Sequence, residues 1–379
     1  MIKIGILTYH RAVNYGAYLQ AYALCSKLNE DERFDAEIID FNMDLENKKY
    51  SLSLKKIIKY RSLKKIFFYS KLNKTFKRAL EYQKLSPQYI HCNDIEGFKK
   101  SIKNNYDIII CGSDEIWKVD GFRGFPTPYW LPCDVGAIKM SYAASSRSNL
   151  KNADKNIVSE IKNILNDFSL ISVRDNITYN QIVDNIKPKC DVMISPDPSL
   201  VYNYSIKDEM ISEKIEKILN SDYILVMTNE KKIVKLIVEK FSSNYEIISV
   251  FDWNKGCTNL ADVTPFEWIE LVRNAKFVFS SYFHCICFSI KYNKKFMALG
   301  NEAKKDKLND LLEKAECLSN FVNVDDIVSN KVDFSEKYDE CCKDIDNTNF
   351  LKKCEISFDE YKKVLIKNYK ETKGEKNGQ

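Results

Sequence analysis

The chain has 379 residues, of which 45% are hydrophobic and 29% are charged. This balance excludes an intrinsically disordered chain, and the length exceeds what one hydrophobic core ordinarily serves, so two domains are expected. The formal net charge is +5, and because no DNA- or RNA-binding motif accompanies it, nucleic acid is not an expected partner.

The sequence gives no support for membrane spans, disulfides or metal sites. The first eight residues form a short apolar run with one charge, which is typical of a first strand and not of a signal peptide. No window approaches the eighteen apolar residues of a membrane-spanning helix, so we expect a cytoplasmic protein. The twelve cysteines are scattered without a Cys-x-x-Cys pair, and there are only three histidines. Reduced thiols and no metal site are therefore predicted.

In chain order, short β-rich runs alternate with helical stretches. Such alternation predicts an α/β fold in which parallel sheets are covered by helices. Thr264, Pro265 and Glu267 form the pattern of a capped helix start. The predicted strands cover residues 2–8, 36–41, 107–111, 140–144, 170–173, 192–195, 223–227, 246–250 and 277–280.

A lobe boundary is predicted where Pro196-Asp197-Pro198 interrupts the chain after the strand at 192–195. A helix over 207–220 and a new strand follow. We therefore expect a first lobe over 1–204, a second lobe over 205–330, and a C-terminal helical segment with a polar tail over 331–379. An amphipathic helix over 357–369 is expected to pack back across a lobe.

The segment 48–80 differs in charge from the rest of the chain. It contains twelve lysines and arginines and no acidic residue, so the remainder of the chain is net negative. Apolar residues are interleaved with these charges. Such a basic amphipathic stretch predicts either docking on an anionic membrane surface or a helical hairpin with a solvated basic face.

The loop after the first strand contains Asn14, Tyr15 and Gly16 directly before a predicted helix. A strand, a tight loop and a helix N-terminus direct unpaired backbone N–H groups to one place, which suits a carboxylate or a phosphate. The loop lacks the Gly-x-Gly-x-x-Gly pattern, so no dinucleotide is predicted. An ordinary strand-to-helix turn is the alternative.

Polar residues also follow the strand at 107–111. Gly112, Ser113, Asp114 and Glu115 come at its carboxyl end, where ligands collect in open parallel sheets. Asp114 and Glu115 are suited to orienting a ligand hydroxyl or to acting as a base. Alternatively, Asp114 caps the next turn.

Two arginines and a histidine follow later strands. Arg147 comes shortly after the small residues that end one strand, and Arg174 comes directly after the next. A guanidinium binds carboxylates and phosphates through two parallel hydrogen bonds, and an ordinary ion pair is an equal alternative for Arg174. His284 follows the strand at 277–280 and is either a general acid or base or a structural residue.

Taken in order, these segments resemble the polysaccharide pyruvyl transferase family. The ordered set spans about residues 14–300 and is far more specific than any single segment. The matching segments are Asn14-Tyr-Gly-Ala-Tyr-Leu-Gln-Ala-Tyr-Ala-Leu24, Gly112-Ser-Asp-Glu-Ile-Trp117, Ser141-Tyr-Ala-Ala-Ser145, Ile171-Ser-Val-Arg-Asp175, Asp197-Pro-Ser-Leu200 and Phe283-His284.

The resemblance implies a GT-B-like fold, with two Rossmann-like lobes and an active site in the cleft between them. It implies transfer of pyruvate from phosphoenolpyruvate onto two hydroxyls of a sugar, which forms a ketal and releases phosphate. Neither a metal nor another cofactor is implied. On this basis His284 and Asp114 are expected to be catalytic. The residues expected to bind the donor are Arg174, Asn14, Tyr15, Gly16, Ser113, Arg147 and Lys307.

The chain departs from the family pattern at several positions. One branch of the family has an arginine where this chain has Tyr282, and the residue after the histidine is commonly glycine where this chain has Cys285. The family segment Gly-Ser-Asp-Gln-x-Trp-Asn reads here with Glu115 and Lys118. An incomplete donor clamp would follow, and Lys307 or a neighbouring lysine is expected to supply the missing charge.

The expected acceptor is a cell-surface glycan or its lipid-linked precursor, with segment 48–80 holding the enzyme at the inner face of the membrane. Two alternatives stay open. One is glycosyl transfer from a nucleotide sugar on the same scaffold. The other is a family member without catalysis that binds a glycan or a partner enzyme.

Overall fold

The computed structural model describes residues 1–46, 62–146 and 153–374, which contain two six-stranded parallel sheets. The strands are β1 (Ile2–Leu7), β2 (Phe34–Ile38), β3 (Phe41–Asn42), β4 (Ile90–His91), β5 (Ile108–Cys111), β6 (Ile138–Ser141), β7 (Phe168–Val173), β8 (Val192–Ile194), β9 (Tyr223–Met227), β10 (Glu246–Val250), β11 (Thr258–Leu260), β12 (Phe277–Ser280), β13 (Phe296–Gly300) and β14 (Phe321–Asn323).

Helices cover and connect these sheets. They are α1 (Tyr15–Asn29), α2 (Leu63–Ala79), α3 (Ile95–Ile102), α4 (Lys155–Leu165), α5 (Asn176–Asn180), α6 (Pro198–Val201), α7 (Glu213–Leu219), α8 (Lys231–Phe241), α9 (Pro265–Asn274), α10 (Phe283–Lys291), α11 (Glu302–Lys314), α12 (Val324–Val328), α13 (Phe334–Cys341) and α14 (Thr348–Lys373). Helix α5 continues as a π-helical segment, Gln181–Ile186.

The first sheet has the strand order β2-β1-β5-β6-β7-β8, and the second has the order β11-β10-β9-β12-β13-β14. Counted from β9, the second order is 3-2-1-4-5-6, which is that of a Rossmann fold. The order reverses between β1 and β5 in the first sheet and between β9 and β12 in the second. At such a reversal the connections diverge and leave a crevice at the carboxyl ends of the strands. The predicted class of two Rossmann-like lobes with parallel sheets is confirmed.

Helix α1 lies against both lobes. The Asn14 Oδ1 atom accepts a hydrogen bond from the Ala17 backbone N–H at 3.1 Å, which caps the helix. The Tyr15 hydroxyl donates to the Val263 carbonyl at 3.0 Å, and its ring stacks on Trp268 with 5.1 Å between centroids. Because Val263 and Trp268 belong to the second lobe, the two lobes share one hydrophobic core through α1.

Helix α2 carries the described half of the basic segment. Its buried side chains are Phe68, Leu72, Phe76 and Ala79, which pack into the same shared core. Lys71 Nζ lies 2.7 Å from Asp262 Oδ2, and Lys65 Nζ lies 5.0 Å from the centroid of Trp253. Helix α2 therefore bridges the first lobe to the second.

The N-terminal end of α2 is exposed. Leu63 and Phe67 are 85% and 71% accessible, so their apolar side chains face away from the core. The preceding part of the predicted basic stretch, 48–61, lies outside the described residues.

Helix α14 returns the chain from the second lobe to the first. Its Phe358 and Tyr361 rings pack edge-on against Tyr142, with centroids 5.5 and 4.8 Å away, and Asn368 Nδ2 donates to the Ser169 carbonyl at 3.3 Å. The helix predicted over 357–369 is part of this longer helix. Among the described residues, no helix is long and apolar enough to cross a membrane.

The connection between the sheets runs from Ile194 to Tyr223 and contains the predicted boundary near residue 204. The helix predicted there over 207–220 is wrong in length, because α7 begins only at Glu213. The Glu267 carboxylate accepts hydrogen bonds from the Ser212 backbone N–H, at 2.9 Å, and from its hydroxyl, which fixes the helix start at that residue.

Replacing Phe358 by alanine tests how strongly α14 stabilises the first lobe. The ring is fully buried, so its truncation should leave a cavity and lower the free energy of unfolding by about 3–5 kcal/mol. Ile356, on the same helix, is 58% exposed, so Ile356→Ala should change that free energy by less than about 0.5 kcal/mol. Urea unfolding of both variants measures the difference. Equal midpoints would show that α14 contributes little to the fold.

Candidate functional site

A cavity of about 510 Å³ opens at the carboxyl ends of both sheets. It is lined by the segments that follow β1 and β5 in the first lobe and, in the second, by the last residue of β9, the segments that follow β10 and β12, and residues of α9 and α11. Strands β1, β5, β9 and β12 are those between which the two sheet orders reverse. This cavity, called the cleft cavity below, therefore lies at the position where both lobes are suited to bind a ligand.

The cleft cavity brings together residues that are far apart in the sequence. Those predicted site residues that line it are Asn14, Gly16, Asp114, His284 and Lys307. Tyr15 and Ser113 are buried in the protein core, where the Ser113 hydroxyl donates to the Ala143 carbonyl at 3.2 Å. Arg147 lies outside the described residues.

Gly16 and His284 form one of the contacts between the lobes at this cavity. His284 lies in the first turn of α10, directly after β12, and is 8% exposed. A Cβ atom built on Gly16 would lie only 2.0 Å from His284 Nδ1. Because no side chain fits between helix α1 and the imidazole, the glycine is required for the ring to approach the N-terminus of α1.

Asp197 holds the other edge of the His284 ring. One of its carboxylate oxygens, Oδ2, lies 3.3 Å from His284 Nε2 and accepts a hydrogen bond from Arg174 Nη1 at 2.7 Å. The Asp197 side chain is 1% exposed. Burial raises the pKa of Asp197, but His284 and Arg174 outweigh that effect and hold it well below its ordinary value. A buried carboxylate thus lies next to the imidazole, while His284 Nε2 itself has no hydrogen-bond partner among the described residues.

Arg174 is placed behind the cleft cavity. It lines a neighbouring cavity of about 350 Å³, and its guanidinium lies 4.5 Å from the centroid of the Phe283 ring, which borders both cavities. Its Nη2 atom is 3.8 Å from Asp114 Oδ1. Within the described chain, the Nε and Nη2 groups are buried without a hydrogen-bond acceptor. The geometry thus gives Arg174 an ion pair with Asp197 and places it one layer away from the cavity that holds His284.

Asp114 and Glu115 line the cleft cavity from the first lobe. Asp114 Oδ1 accepts a hydrogen bond from the Glu115 backbone N–H at 2.8 Å, which holds its carboxylate in place at the cavity. Glu115 lies between two lysines, 2.8 Å from Lys118 Nζ and 2.7 Å from Lys307 Nζ. Burial raises the pKa of Glu115, yet Lys307 and Lys118 hold it below its ordinary value. Because Lys307 belongs to α11, this ion pair joins the two lobes across the cavity.

Tyr282 and Cys285, which depart from the family pattern beside His284, are both held within the protein. The Tyr282 hydroxyl donates to Asp252 Oδ2 at 2.8 Å, and burial raises the pKa of Tyr282. Cys285 is fully buried, which raises the pKa of its thiol to about 12. Neither side chain supplies a positive charge.

The sequence prediction missed Asp197 as a site residue, although Asp197-Pro-Ser-Leu200 was one of the family segments. The signal available was an aspartate within a proline-flanked segment directly after a strand. The neighbouring Phe283 was also missed. Nothing in the local sequence indicates that the side chains of Arg174 and Lys307 lie over its ring. In the described residues, no group of three histidine, cysteine or acidic side chains could hold a metal ion.

Gly16→Ala should destabilise the protein, whereas glycine-to-alanine changes inside helices usually stabilise by about 0.5–1 kcal/mol. The sign reverses because the new methyl group meets the His284 ring. A fall of the melting temperature by several degrees is expected. Gly121→Ala serves as the control, since its Cβ atom would meet nothing closer than 3.9 Å. An unchanged or raised melting temperature for Gly16→Ala would contradict this account of the lobe contact.

Comparison with solved structures shows that the fold is GT-B-like. The UDP-GlcNAc 2-epimerase from Methanocaldococcus jannaschii has a TM-score of 0.53 and 13% sequence identity, and the match covers 97% of this chain and 99% of that one. The UDP-GlcNAc 2-epimerase from Neisseria meningitidis, bound to UDP-GlcNAc, has a TM-score of 0.53 and 8% identity, with 97% and 100% covered. At such low identity the likeness concerns the fold alone.

Comparison of sequences gives a narrower result. Curated protein sequences yield no significant match. The sequence model of one family, described as polysaccharide pyruvyl transferase, matches residues 14–302, which is more than half of the chain. Because the matched region runs through both lobes and includes Gly16, Asp114, Asp197 and His284, the chain belongs to the polysaccharide pyruvyl transferase family.

Proposed function

We propose that this protein transfers the pyruvyl group of phosphoenolpyruvate onto two hydroxyls of a sugar, forming a ketal. The observation that carries the proposal is the position of His284: its imidazole lies 3.3 Å from the buried carboxylate of Asp197, is set against the N-terminus of α1 and lines the same cavity as Asp114. An imidazole and a carboxylate in one cavity are groups that general acid and base catalysis uses.

The reaction balances without an added cofactor. The methylene carbon of phosphoenolpyruvate takes up a proton, which leaves an oxocarbenium-like centre at the carbon that bears phosphate. The two sugar oxygens form bonds to that carbon, and the bond to phosphate breaks. Of the two hydroxyl protons lost by the sugar, one balances the proton gained by the methylene carbon and the other leaves with the phosphate.

The residues of the cleft cavity divide these tasks. His284 would protonate the donor or bind its phosphate, and Asp114 would accept a proton from the sugar hydroxyl. The backbone N–H of Gly16 lies at the positive end of helix α1, and Gly16 lines the cleft cavity. This group, together with Lys307, is suited to hold the donor carboxylate or phosphate.

Arg174 would act through Asp197. Its ion pair keeps the buried carboxylate in place, and Asp197 in turn would hold His284 by charge at 3.3 Å. Removing one partner of a buried ion pair typically costs about 3–5 kcal/mol. Substitutions of Arg174 would therefore change stability as well as activity, and His284 gives the more specific test.

His284→Gln should lower the rate of phosphate release from phosphoenolpyruvate by about 100-fold or more, because general acid–base catalysis contributes about 10²–10⁴ in rate. The assay measures phosphate with a panel of hexose-containing glycolipids as acceptors. His91→Gln is the matched control, since His91 is exposed and lies outside the cleft cavity. An undiminished rate in His284→Gln would contradict the assignment.

The same assay separates the alternatives. Consumption of a nucleotide sugar, with no phosphate released from phosphoenolpyruvate, would replace the proposal by glycosyl transfer. Binding of a glycan without turnover of either donor would indicate a family member that has lost catalysis. Each of these results overturns the proposed reaction.

We further infer that the protein works in the cytoplasm on a lipid-linked acceptor and docks on an anionic membrane surface through the N-terminal end of α2. The exposed side chains of Leu63 and Phe67 lie beside exposed Lys64, a combination that suits insertion between anionic headgroups. The buried face of α2 is used by the protein core, so only this end of the described helix offers apolar side chains to a membrane.

Leu63→Glu with Phe67→Glu should lower the fraction of protein that sediments with phosphatidylglycerol-containing vesicles several-fold, because both changes add negative charge and remove apolar surface. Ile356→Glu provides the control, as it makes a similar change at an exposed site on α14. If the wild type, the double variant and the control sediment equally, the end of α2 does not dock on the membrane and is an ordinary solvated surface.

A further inference from the structure

A second cavity, of about 430 Å³, adjoins the cleft cavity between the loop that follows β1 and helix α2. The two cavities share Tyr9, Ala12 and Val13 as lining residues. The proposed reaction assigns no role to this second cavity, called the α2 cavity below.

One face of α2 gives the α2 cavity its charge. Ser70, Asn73, Lys74 and Lys77 line it, and their spacing of three and four residues places them on the same side of the helix. In the part of the chain that the structure describes, neither Lys74 nor Lys77 has an acidic partner within 4 Å, whereas Lys71 on the adjoining face pairs with Asp262. Two ammonium groups therefore face this cavity without a neutralising carboxylate.

The carboxylates near these lysines are already paired. Glu46 lines the α2 cavity, forms an ion pair with Arg123 and accepts a hydrogen bond from the Tyr129 hydroxyl at 3.0 Å. Arg11 also lines it, and its guanidinium makes two hydrogen bonds to Asp40. Because each of these acids has its own arginine, Lys74 and Lys77 leave the cavity net positive.

Aromatic rings form the rest of the wall. Tyr9 and Tyr129 pack edge to face with 4.7 Å between centroids, and Phe41 lies 5.2 Å from Tyr129. The Arg123 guanidinium lies 4.1 Å from the Tyr9 centroid, which fixes this ring at the border of the two cavities. Rigid apolar walls with a few placed polar groups are typical of sites for small polar organic ligands.

We propose that the α2 cavity binds the phosphate or diphosphate group of a phosphorylated acceptor sugar, with Lys74 and Lys77 on the anion and the sugar directed past Tyr9 into the cleft cavity. The identification of the sugar as an acceptor depends on the proposed function, whereas recognition of the anion depends only on the lysines. A lipid-linked and a nucleotide-linked sugar diphosphate carry this same chemistry.

The test measures binding by titration calorimetry and requires no turnover. The ligands are a hexose linked through diphosphate to a short alkyl chain, a UDP-linked hexose, and the neutral alkyl hexoside. Lys74→Met with Lys77→Met should weaken binding of a diphosphate ligand by about tenfold or more, because two charge-assisted contacts are lost. Arg78→Met with Lys103→Met is the control, since it removes two exposed positive charges away from the cavity.

Lysine-dependent binding of the alkyl-linked diphosphate, the UDP-hexose or both supports the inference and identifies the source of the anion. Wild-type binding that does not distinguish the neutral hexoside from the diphosphate would overturn it. So would a double variant with unchanged affinity, or one that loses affinity for phosphoenolpyruvate instead. If lysine-dependent binding persists in a protein that releases no phosphate from phosphoenolpyruvate, the proposed reaction fails and the anion site stands.

Discussion

The buried carboxylate of Asp197 is the group on which the rest of the site depends. It accepts a hydrogen bond from Arg174, at the end of β7 in the first lobe, and lies against His284, at the start of α10 in the second. Its other oxygen accepts from the Ser199 backbone N–H and hydroxyl, which caps α6 in the connection between the sheets. A single buried charge thus contacts both lobes and their connection. Separating it from these partners is unfavourable, because leaving the charge buried and unpaired would cost several kcal/mol.

The lobes are joined by more than this charge. Helix α1 belongs to the first lobe, yet it contacts residues of the second. Its Tyr15 ring stacks on Trp268, and Gly16 lies against the His284 ring. Interfaces between domains are usually polar, and relative motion is the default unless the interface is large and hydrophobic. Here the largest core cluster contains residues of both lobes and of α14. The shared core therefore holds the His284 and Asp114 sides of the cleft cavity together in this structure.

The sequence predicts those features that depend on neighbours in the chain. The run Ile108–Cys111 is predicted as a strand because a strand buried on both faces has consecutive apolar residues. Helix α9 is predicted to begin after Thr264 because Thr264 and Glu267 form a reciprocal cap. Strand β13, Phe296–Gly300, was missed because alanine and glycine are poor strand formers and only the neighbouring strands and helices stabilise it. The role of Asp197 was missed for a related reason: its cationic partners lie on elements that no local pattern connects.

The departures from the family pattern are linked to one another in space. Glu115 and Lys118 stand where the family pattern has uncharged amides, and Glu115 forms ion pairs with both Lys118 and Lys307 of the other lobe. Tyr282 stands where some relatives have arginine, and its hydroxyl is bound to Asp252. In the cleft cavity of this chain, two lysines lie around one carboxylate. This network keeps one net positive charge, but an ammonium lacks the planar hydrogen-bonding geometry of arginine. In the proposed reaction, orientation of the donor would therefore depend more heavily on His284 and on the N-terminus of α1.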